Sequence, residues 1–102
     1  MEDVRLKFET QGQAVFFIAD SNGTQLAKLI VDIVESDLIV LGMAALKGKR
    51  GSLRSQLFNA MISYAREHYL KVIAFNRFVY NKLKNDPQQF ADVWDENSNY
   101  KE

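Results

Sequence analysis

The first half of the chain alternates hydrophobic and polar residues with the two-residue period of half-buried strands. Val4, Leu6 and Phe8 alternate with charged residues and predict a first strand. Short turns rich in Asp, Ser, Asn and Gly separate the β-prone segments that follow. The next three strands are predicted over 14–19, 27–33 and 38–46. Four strands joined in succession by short turns are typical of an antiparallel meander.

The hydrophobic period changes to that of a helix after Gly51. Hydrophobic residues then recur three and four positions apart as far as Leu70, and Ser52 is the predicted N-cap of this helix. The apolar run 71–75 predicts a short inner strand. A second helix is expected to start near Phe78 and to end near Asp86-Pro87, because proline interrupts a helix.

The main helix lies between strands four and five in the sequence, so the three elements form a β-α-β unit. The right-handed crossover of such a unit predicts that the two strands lie parallel. Phe90, Val93 and Trp94 are expected to pack a last half-turn. The predicted fold is therefore α+β, with a mixed sheet in which an antiparallel β-meander is followed by a β-α-β unit and a C-terminal helix. We expect one domain over 1–94 and a polar C-terminal tail over 95–102.

The composition adds exclusions to this picture. The 102 residues are 47% hydrophobic and carry 13 basic and 13 acidic side chains, as expected for one soluble domain. The chain lacks cysteine and has one histidine, His68, so neither a disulfide nor a metal site is expected. There is no apolar run of about 20 residues and no signal-peptide pattern, so we expect a cytoplasmic protein without a membrane partner.

A basic stretch breaks the overall neutrality. No Asp or Glu occurs between Leu38 and Arg66, and the loop 47–52 leads from a predicted strand to a predicted helix N-terminus, where free N–H groups favour an anion. The alternative is a solvated basic loop balanced by acids elsewhere. The glycines fit neither the nucleotide P-loop nor the dinucleotide fingerprint. Nucleic-acid binding is not expected, because aromatic residues do not interleave with the basic ones on a net-neutral chain.

The second half of the chain resembles small single-domain members of the GNAT (N-acetyltransferase) superfamily. Residues 64–72 read Tyr-Ala-Arg-Glu-His-Tyr-Leu-Lys-Val and resemble the run Tyr-Ala-Arg-Glu-x-Gly-Leu-Lys-Val at the end of that family's main helix. Phe78-Val79, Asp86-Pro87 and 90–93 resemble its closing Phe-Val and His-Pro-Glu-Tyr-x-Asp-Leu-Val signature. The pattern covers 49–87 without a gap, whereas the first half agrees only in strand count and turn placement.

The resemblance implies a protein that binds acetyl-CoA, or another acyl-CoA, and transfers the acyl group to an amine. It places the pantetheine along strand four, which is split from strand five, and the pyrophosphate on the loop before the main helix. The amine acceptor is not identified by the sequence, and the chain is expected to be a monomer or a weak homodimer. The implied cofactor-binding residues are Ala44, Lys49, Arg50, Gly51, Ser52, Leu53 and Arg54.

The chain departs from the family pattern at positions that carry chemistry. Ser52 and Arg54 occupy two glycine positions of the family loop, where Arg54 must turn outward and pair with a phosphate if it is not to crowd the pyrophosphate. Leu41-Gly42 occupies the family's His-Thr, and Asn76 occupies the cysteine at the end of strand five. Any acyl transfer is therefore expected to be direct, without an acyl-enzyme.

Two candidate catalytic residues remain, each with an alternative. Asn76 either bonds the thioester carbonyl or the acceptor, or caps the following helix, and its residue type favours the cap. Tyr80 either donates a proton to the leaving thiolate or is an amphipathic residue at the edge of the core. The alternative function is a non-catalytic binding or interaction module on the GNAT fold with a degenerate cofactor site.

Overall fold

Five strands and two helices follow one another in the order that the sequence predicts. The computed structural model describes residues 4–9, 12–46 and 50–94, and all of their side chains except that of Arg50. The predicted tail over 95–102 and the loop residues 47–49 lie outside the described residues. The elements are β1 (Val4–Phe8), β2 (Gln13–Ala19), β3 (Gln25–Val34), β4 (Asp37–Ala45), α1 (Arg50–Glu67), β5 (Lys71–Ala74) and α2 (Arg77–Asn85).

The five strands form one mixed sheet in the order β1-β2-β3-β4-β5. The first four strands pair antiparallel, and β4 pairs parallel with β5. Both the α+β class and the meander followed by a β-α-β unit are thus confirmed. The turn between β2 and β3 forms as expected, because the Asp20 carboxylate accepts the backbone N–H groups of Asn22 and Thr24, and Gly23 takes a positive φ of 84°.

One face of the sheet carries the core. Along β2, for example, Ala14, Phe16 and Ile18 are buried, whereas the residues between them are only half-buried. Helix α1 covers this face with six buried hydrophobic residues. These α1 residues are Leu53, Leu57, Phe58, Met61, Ile62 and Ala65, with Leu70 following the helix. Neither described helix has the length and apolar composition that crossing a membrane requires.

The start of α1 differs from the prediction. The helix begins at Arg50, so Ser52 is its third residue and the expectation that Ser52 is the N-cap is wrong. An N-cap serine accepts a backbone N–H of the first turn, whereas the Ser52 hydroxyl accepts the side-chain amide of Gln56, one turn further on, at 3.2 Å. The capping preference of serine is a local signal that does not by itself set the helix boundary.

The end of α1 also comes earlier than the hydrophobic period suggested. The helix ends at Glu67, and the backbone N–H of Leu70 donates to the carbonyl oxygen of Ala65 at 2.9 Å. Tyr69 takes a left-handed conformation with a φ of 56°. This six-residue closure is the bonding pattern of a helix that is terminated by a left-handed residue, a position that favours glycine.

The C-terminal part of the described chain closes the core beside β5. Helix α2 ends at Asn85, immediately before Asp86-Pro87, as predicted. Phe90, Val93 and Trp94 are then buried, which confirms the expected packing of the last half-turn. The backbone N–H of Val72 in β5 donates to the carbonyl oxygen of Val93 at 2.6 Å, so this segment covers the outer edge of β5.

Candidate ligand-binding cleft

The parallel strands β4 and β5 pair over only part of their length. Pairing runs from Asp37 with Lys71 to Val40 with Ala74. Beyond this point β4 continues to Ala45, while the chain leaves β5 and enters α2. The expected partial contact between these strands is confirmed, and it leaves the last five residues of β4 without a β5 partner.

A bulge lies in β4 where the two strands separate. Val31 of β3 pairs with Val40, but Ile30 pairs with Gly42, so Leu41 is an additional residue in β4. Bulges bend a strand and increase its twist. Glycine inside a strand often marks such a distortion, and Gly42 lies directly beside the bulge. A Cβ atom at Gly42 would meet no atom within 4 Å, so tight packing does not explain this glycine.

A cleft of about 350 Å³ opens where β4 and β5 diverge. Three elements contribute to its walls: the free part of β4, the first turns of α1, and the start of α2. The described lining residues are Met43, Arg54, Asn76, Arg77, Phe78 and Asn81.

The described lining of the cleft is cationic. Arg54 and Arg77 supply two guanidinium groups, and none of the six described lining residues is acidic. The first turn of α2 also contains no acidic residue, so the positive end of its dipole is not offset locally. This arrangement favours an anionic ligand.

Two cationic side chains contact one aromatic ring at the edge of the cleft. The guanidinium carbon of Arg54 lies 5.4 Å from the ring centre of Phe78, and the Nζ atom of Lys82 lies 5.7 Å from the same centre. Both distances are in the range of cation–π attraction. The Arg54 guanidinium therefore reaches across from α1 to α2.

Asn76 is the N-cap of α2, as the residue type predicted. It has extended backbone angles, and its Oδ1 atom accepts the backbone N–H of Val79 at 3.1 Å. Asn76 also lines the cleft, so the two roles considered for it are not exclusive. The capping bond uses only Oδ1, and the Nδ2 donor is not part of the cap.

Tyr80 lies on a different side of α2. It is half-buried, its ring packs edge-on against Trp94 with centres 6.3 Å apart, and the Nζ atom of Lys84 lies 5.7 Å from its centre. Tyr80 is not among the described residues that line the cleft. This placement favours the interpretation of Tyr80 as a residue at the edge of the core.

Among the expected cofactor-binding residues whose side chains the structure describes, only Arg54 lines the cleft. Leu53 is buried in the core, and Gly51 and Ser52 are exposed at the start of α1. Ala44 is exposed and lines a separate depression of about 170 Å³ between the start of β3 and the end of β4. Lys49 and the side chain of Arg50 lie outside the described residues.

Sequence reasoning missed four residues of the lining, namely Met43, Arg77, Phe78 and Asn81. Asn81 follows Arg77 and Phe78 by four and three positions, a spacing that places all three on neighbouring parts of one helix surface. The pattern alone does not reveal that this surface meets Arg54, which precedes it by more than twenty residues.

The described lining contains no carboxylate and no imidazole. His68 lies just beyond the opposite end of α1 and stacks on Tyr64, with ring centres 4.1 Å apart. Among the described residues, no group of three or more His, Asp or Glu side chains is placed to hold a metal ion. The described side chains of the cleft can therefore bind an anion and donate hydrogen bonds, and none of them is a strong base.

Comparison with known proteins gives no further assignment, because no protein-family model and no curated protein matches the chain.

Proposed function

We propose that the chain is a GNAT-like protein that binds acetyl-CoA, or a related acyl-CoA, in the cleft between β4 and β5 and transfers the acyl group to an amine. The observation that carries this proposal is the partial pairing of β4 with β5, which opens onto a cationic cleft. The sequence resemblance over 49–87 independently favours the same function.

The chemistry of the cleft suits an acyl-CoA in three respects. The phosphates of CoA carry negative charge, and the guanidinium of Arg54 is a donor that can bond two phosphate oxygens at once. The thioester needs a polar group near its carbonyl oxygen, and the Asn76 amide lies at the point where the strands separate. Met43 and Phe78 supply apolar surface for the pantetheine arm.

In the proposed reaction the amine nitrogen attacks the thioester carbonyl, the carbon–sulfur bond breaks, and CoA leaves as a thiol. The amine loses one proton and the thiolate gains one. No described residue of the cleft is a strong base, so the proposal assigns this chain the binding and positioning of the thioester and requires an acceptor that enters as the free amine.

Calorimetric titration with acetyl-CoA tests the proposal directly. We expect saturable binding to the wild-type chain and a several-fold or greater loss of affinity in Arg54→Glu, since hydrogen bonds to charged groups contribute roughly 1.5–3 kcal/mol. Arg5→Glu is the matched control, because Arg5 is an exposed residue of β1 outside the cleft. Equal affinities for both variants would remove the cleft as the binding site, and absence of binding to the wild type would overturn the proposal.

A second candidate function is a non-catalytic binding module on the same fold. The observation that favours it is the described lining itself, which has amide and guanidinium groups but no carboxylate, imidazole or thiol. The two candidates differ in one measurement. A module binds acetyl-CoA or another anion without consuming it, whereas an acyltransferase releases free CoA thiol when amines are supplied.

A further inference from the structure

Two exposed hydrophobic side chains lie where β4 and β5 separate. Val40 and Ala74 form the last pair of the two strands, and both are buried. The residues that follow them are Leu41, which is 46% exposed, and Phe75, which is 55% exposed. We call Leu41 and Phe75 the hydrophobic pair. Because paired strands lie about 4.8 Å apart, these two side chains start from neighbouring points of the backbone, one on each side of the separation.

The hydrophobic pair belongs to the face of the sheet opposite α1. Phe75 continues the alternation of β5, in which Ala74 is buried in the core and Ile73 before it is half-buried on the other face. Leu41 is the additional residue of the bulge, and it is exposed although Val40 before it is buried. The guanidinium groups of the cleft lie on the side of the helices, so the separation is cationic on one face and apolar on the other.

The charged residues of β4 and β5 lie at the end remote from the hydrophobic pair. They are Asp37 and Lys71, which pair with each other at the start of the two strands. In β3, the Oδ1 atom of Asp32 is buried on the side of β2, 3.3 Å from the position that a Cβ atom of Gly12 would take. The other charged residues of this face lie in β3 and in or just after β1, and they are Lys28, Arg5, Lys7 and Glu9. Within the described part of the chain, no carboxylate is therefore placed to bind a protonated amine at the hydrophobic pair.

These surroundings select among amines by their basicity. An alkylamine with the pKa of a lysine side chain, about 10.4, is a free base in only about one molecule in 2,500 at pH 7. The described lining of the cleft has no strong base to deprotonate it, and the Arg54 guanidinium repels the ammonium form. An amine bonded to an aromatic ring delocalises its lone pair into the ring, so its pKa lies below neutrality and it enters as the free base. Its ring also offers apolar surface to the hydrophobic pair.

We propose that the acyl acceptor is an aromatic amine, whose ring packs on Leu41 and Phe75 while its nitrogen enters the separation of β4 and β5 from the face opposite α1. The inference rests on the proposed acyltransferase function and names its substrate class. It explains how transfer proceeds in a cleft whose described lining holds no strong base, because an aromatic amine needs no deprotonation before it attacks.

The proposed step balances without a base from the protein. The amine nitrogen forms a bond to the thioester carbonyl carbon, the carbon–sulfur bond breaks, and the proton lost by nitrogen passes to the departing thiolate. The nitrogen of an aromatic amine is strongly acidic once it has formed the new bond. A thiolate with an ordinary thiol pKa of about 8.5 can therefore accept its proton. The products are an N-acyl aromatic amine and CoA thiol.

Two isomeric amines, 4-ethylaniline and 2-phenylethylamine, test the substrate class. They contain the same atoms and one benzene ring, and they differ in whether the nitrogen is bonded to the ring. Release of CoA thiol and formation of the acetylated amine are measured at pH 7 with acetyl-CoA and the full chain. We expect acetylation of 4-ethylaniline, with a kcat/KM about a hundredfold or more above that of 2-phenylethylamine, because so little of the alkylamine is a free base.

The outcomes separate this inference from the proposed function. Equal or faster acetylation of 2-phenylethylamine would overturn the aromatic acceptor and leave the acyltransferase function in place. Acetylation of neither isomer would also overturn the aromatic acceptor. Calorimetry with acetyl-CoA, which needs no acceptor, then decides by itself whether the chain binds the acyl donor.

Substitutions of the hydrophobic pair test where the ring binds. Phe75→Ser and Leu41→Ser should each raise the KM for 4-ethylaniline about fivefold or more, because the ring loses apolar contact. Their affinity for acetyl-CoA should stay unchanged, since neither residue is part of the described cleft lining. Phe8→Ser is the matched control, because Phe8 is 61% exposed and lies in β1 at the opposite edge of the sheet. Circular dichroism checks that each variant is folded, and an unchanged KM in either folded variant of the pair would overturn the proposed acceptor position.

Discussion

The side chain of Arg66 binds Asp92 across 26 positions of sequence, with its Nε atom donating to Oδ2 at 2.8 Å. Its Nη2 atom donates to the carbonyl oxygen of Gln89, also at 2.8 Å. Lys71 adds a bond from Nζ to the carbonyl oxygen of Asp92 at 2.9 Å. These contacts attach the segment that carries the buried Trp94 to the end of α1 and the start of β5.

Asp92→Asn should lower the free energy of unfolding by about 0.2–1 kcal/mol, because both side chains of the ion pair are partly exposed to solvent. Urea unfolding at neutral pH measures this difference. Glu67→Gln is the matched control, since Glu67 is an exposed acid beside Arg66 and has no ion pair with a described residue. An equal loss in both variants would mean that the Arg66–Asp92 bond adds nothing specific.

The ion pair between Arg66 and Asp92 also makes the stability of the fold depend on pH. The hydrogen bond from Arg66 lowers the pKa of Asp92 below its ordinary value of 3.8, and the charge of Arg66 acts in the same direction against a partial desolvation. The unfolded chain therefore binds the proton more readily than the folded chain. The stabilisation is fully present above the ordinary pKa and is lost as the pH falls through the lower folded value. The difference in unfolding free energy between wild type and Asp92→Asn should accordingly vanish in strong acid. A difference that stays constant with pH would show that it does not come from the charge of Asp92.

Tyr69→Gly should stabilise the fold by about 1 kcal/mol or less. Tyr69 has a φ of 56° and is 89% exposed, so glycine relieves the left-handed backbone and loses little packing. The measurement is the urea midpoint. Ser63→Gly, at an exposed interior position of α1, should instead destabilise by roughly 0.5–1 kcal/mol. A destabilised Tyr69→Gly would show that the tyrosine side chain contributes more than its exposure indicates.

Tyr69 also shows how far the sequence can predict the fold. Alternation and helical spacing correctly place the strands and helices, because burial of one face imposes those periods on the residues. The end of α1 is not predicted, since Tyr69 occupies the position where the resembling family has glycine and tyrosine gives no local signal for a left-handed residue. The bulge at Leu41 is indicated in the sequence only by the neighbouring Gly42, because a register shift depends on how two strands pair.

The site is less predictable than the fold, for a reason that Arg54 illustrates. The sequence places Arg54 near a helix N-terminus, but its contact with Phe78 depends on the packing of α2 beside α1. The role of Asn76 as a cap is predicted because capping is local, involving Val79 three residues ahead. Its position in the cleft follows only once β4 and β5 are seen to separate.

Two substitutions separate the cap at Asn76 from the proposed ligand site. Asn76→Ala removes both the acceptor for the Val79 N–H and the amide that the proposal places beside the thioester carbonyl, so it should cost about 0.5–2 kcal/mol of stability and also weaken acetyl-CoA binding. Asn76→Asp keeps a good capping residue, so stability should be preserved. It also places a negative charge in the cleft and should weaken acetyl-CoA binding. Calorimetry and urea unfolding measure the two properties separately, and unchanged affinity in Asn76→Asp would place the ligand elsewhere.

Asn76→Cys tests whether the proposed thioester reaches the end of β5. A cysteine at this position would lie at the N-terminus of α2, where the helix dipole lowers the pKa of a thiol and increases the thiolate fraction. If acetyl-CoA binds in the cleft, the thiolate attacks the thioester carbonyl, the acetyl group moves to sulfur, and CoA leaves as a thiolate that takes a proton from water. Mass spectrometry of the intact protein after incubation with acetyl-CoA should then show one acetyl group.

Ser52→Cys is the control for this experiment, because it places a thiol in the first turn of α1 at an exposed position that is not part of the described cleft lining. Both thiols lie near a helix N-terminus, which lowers the pKa of each. A difference in their acetylation therefore reports proximity to the bound thioester rather than reactivity of the thiol. Equal, slow acetylation of both variants would indicate reaction from solution. If Asn76→Cys stays unmodified and calorimetry detects no acetyl-CoA binding, the acyltransferase proposal is wrong and the non-catalytic module remains.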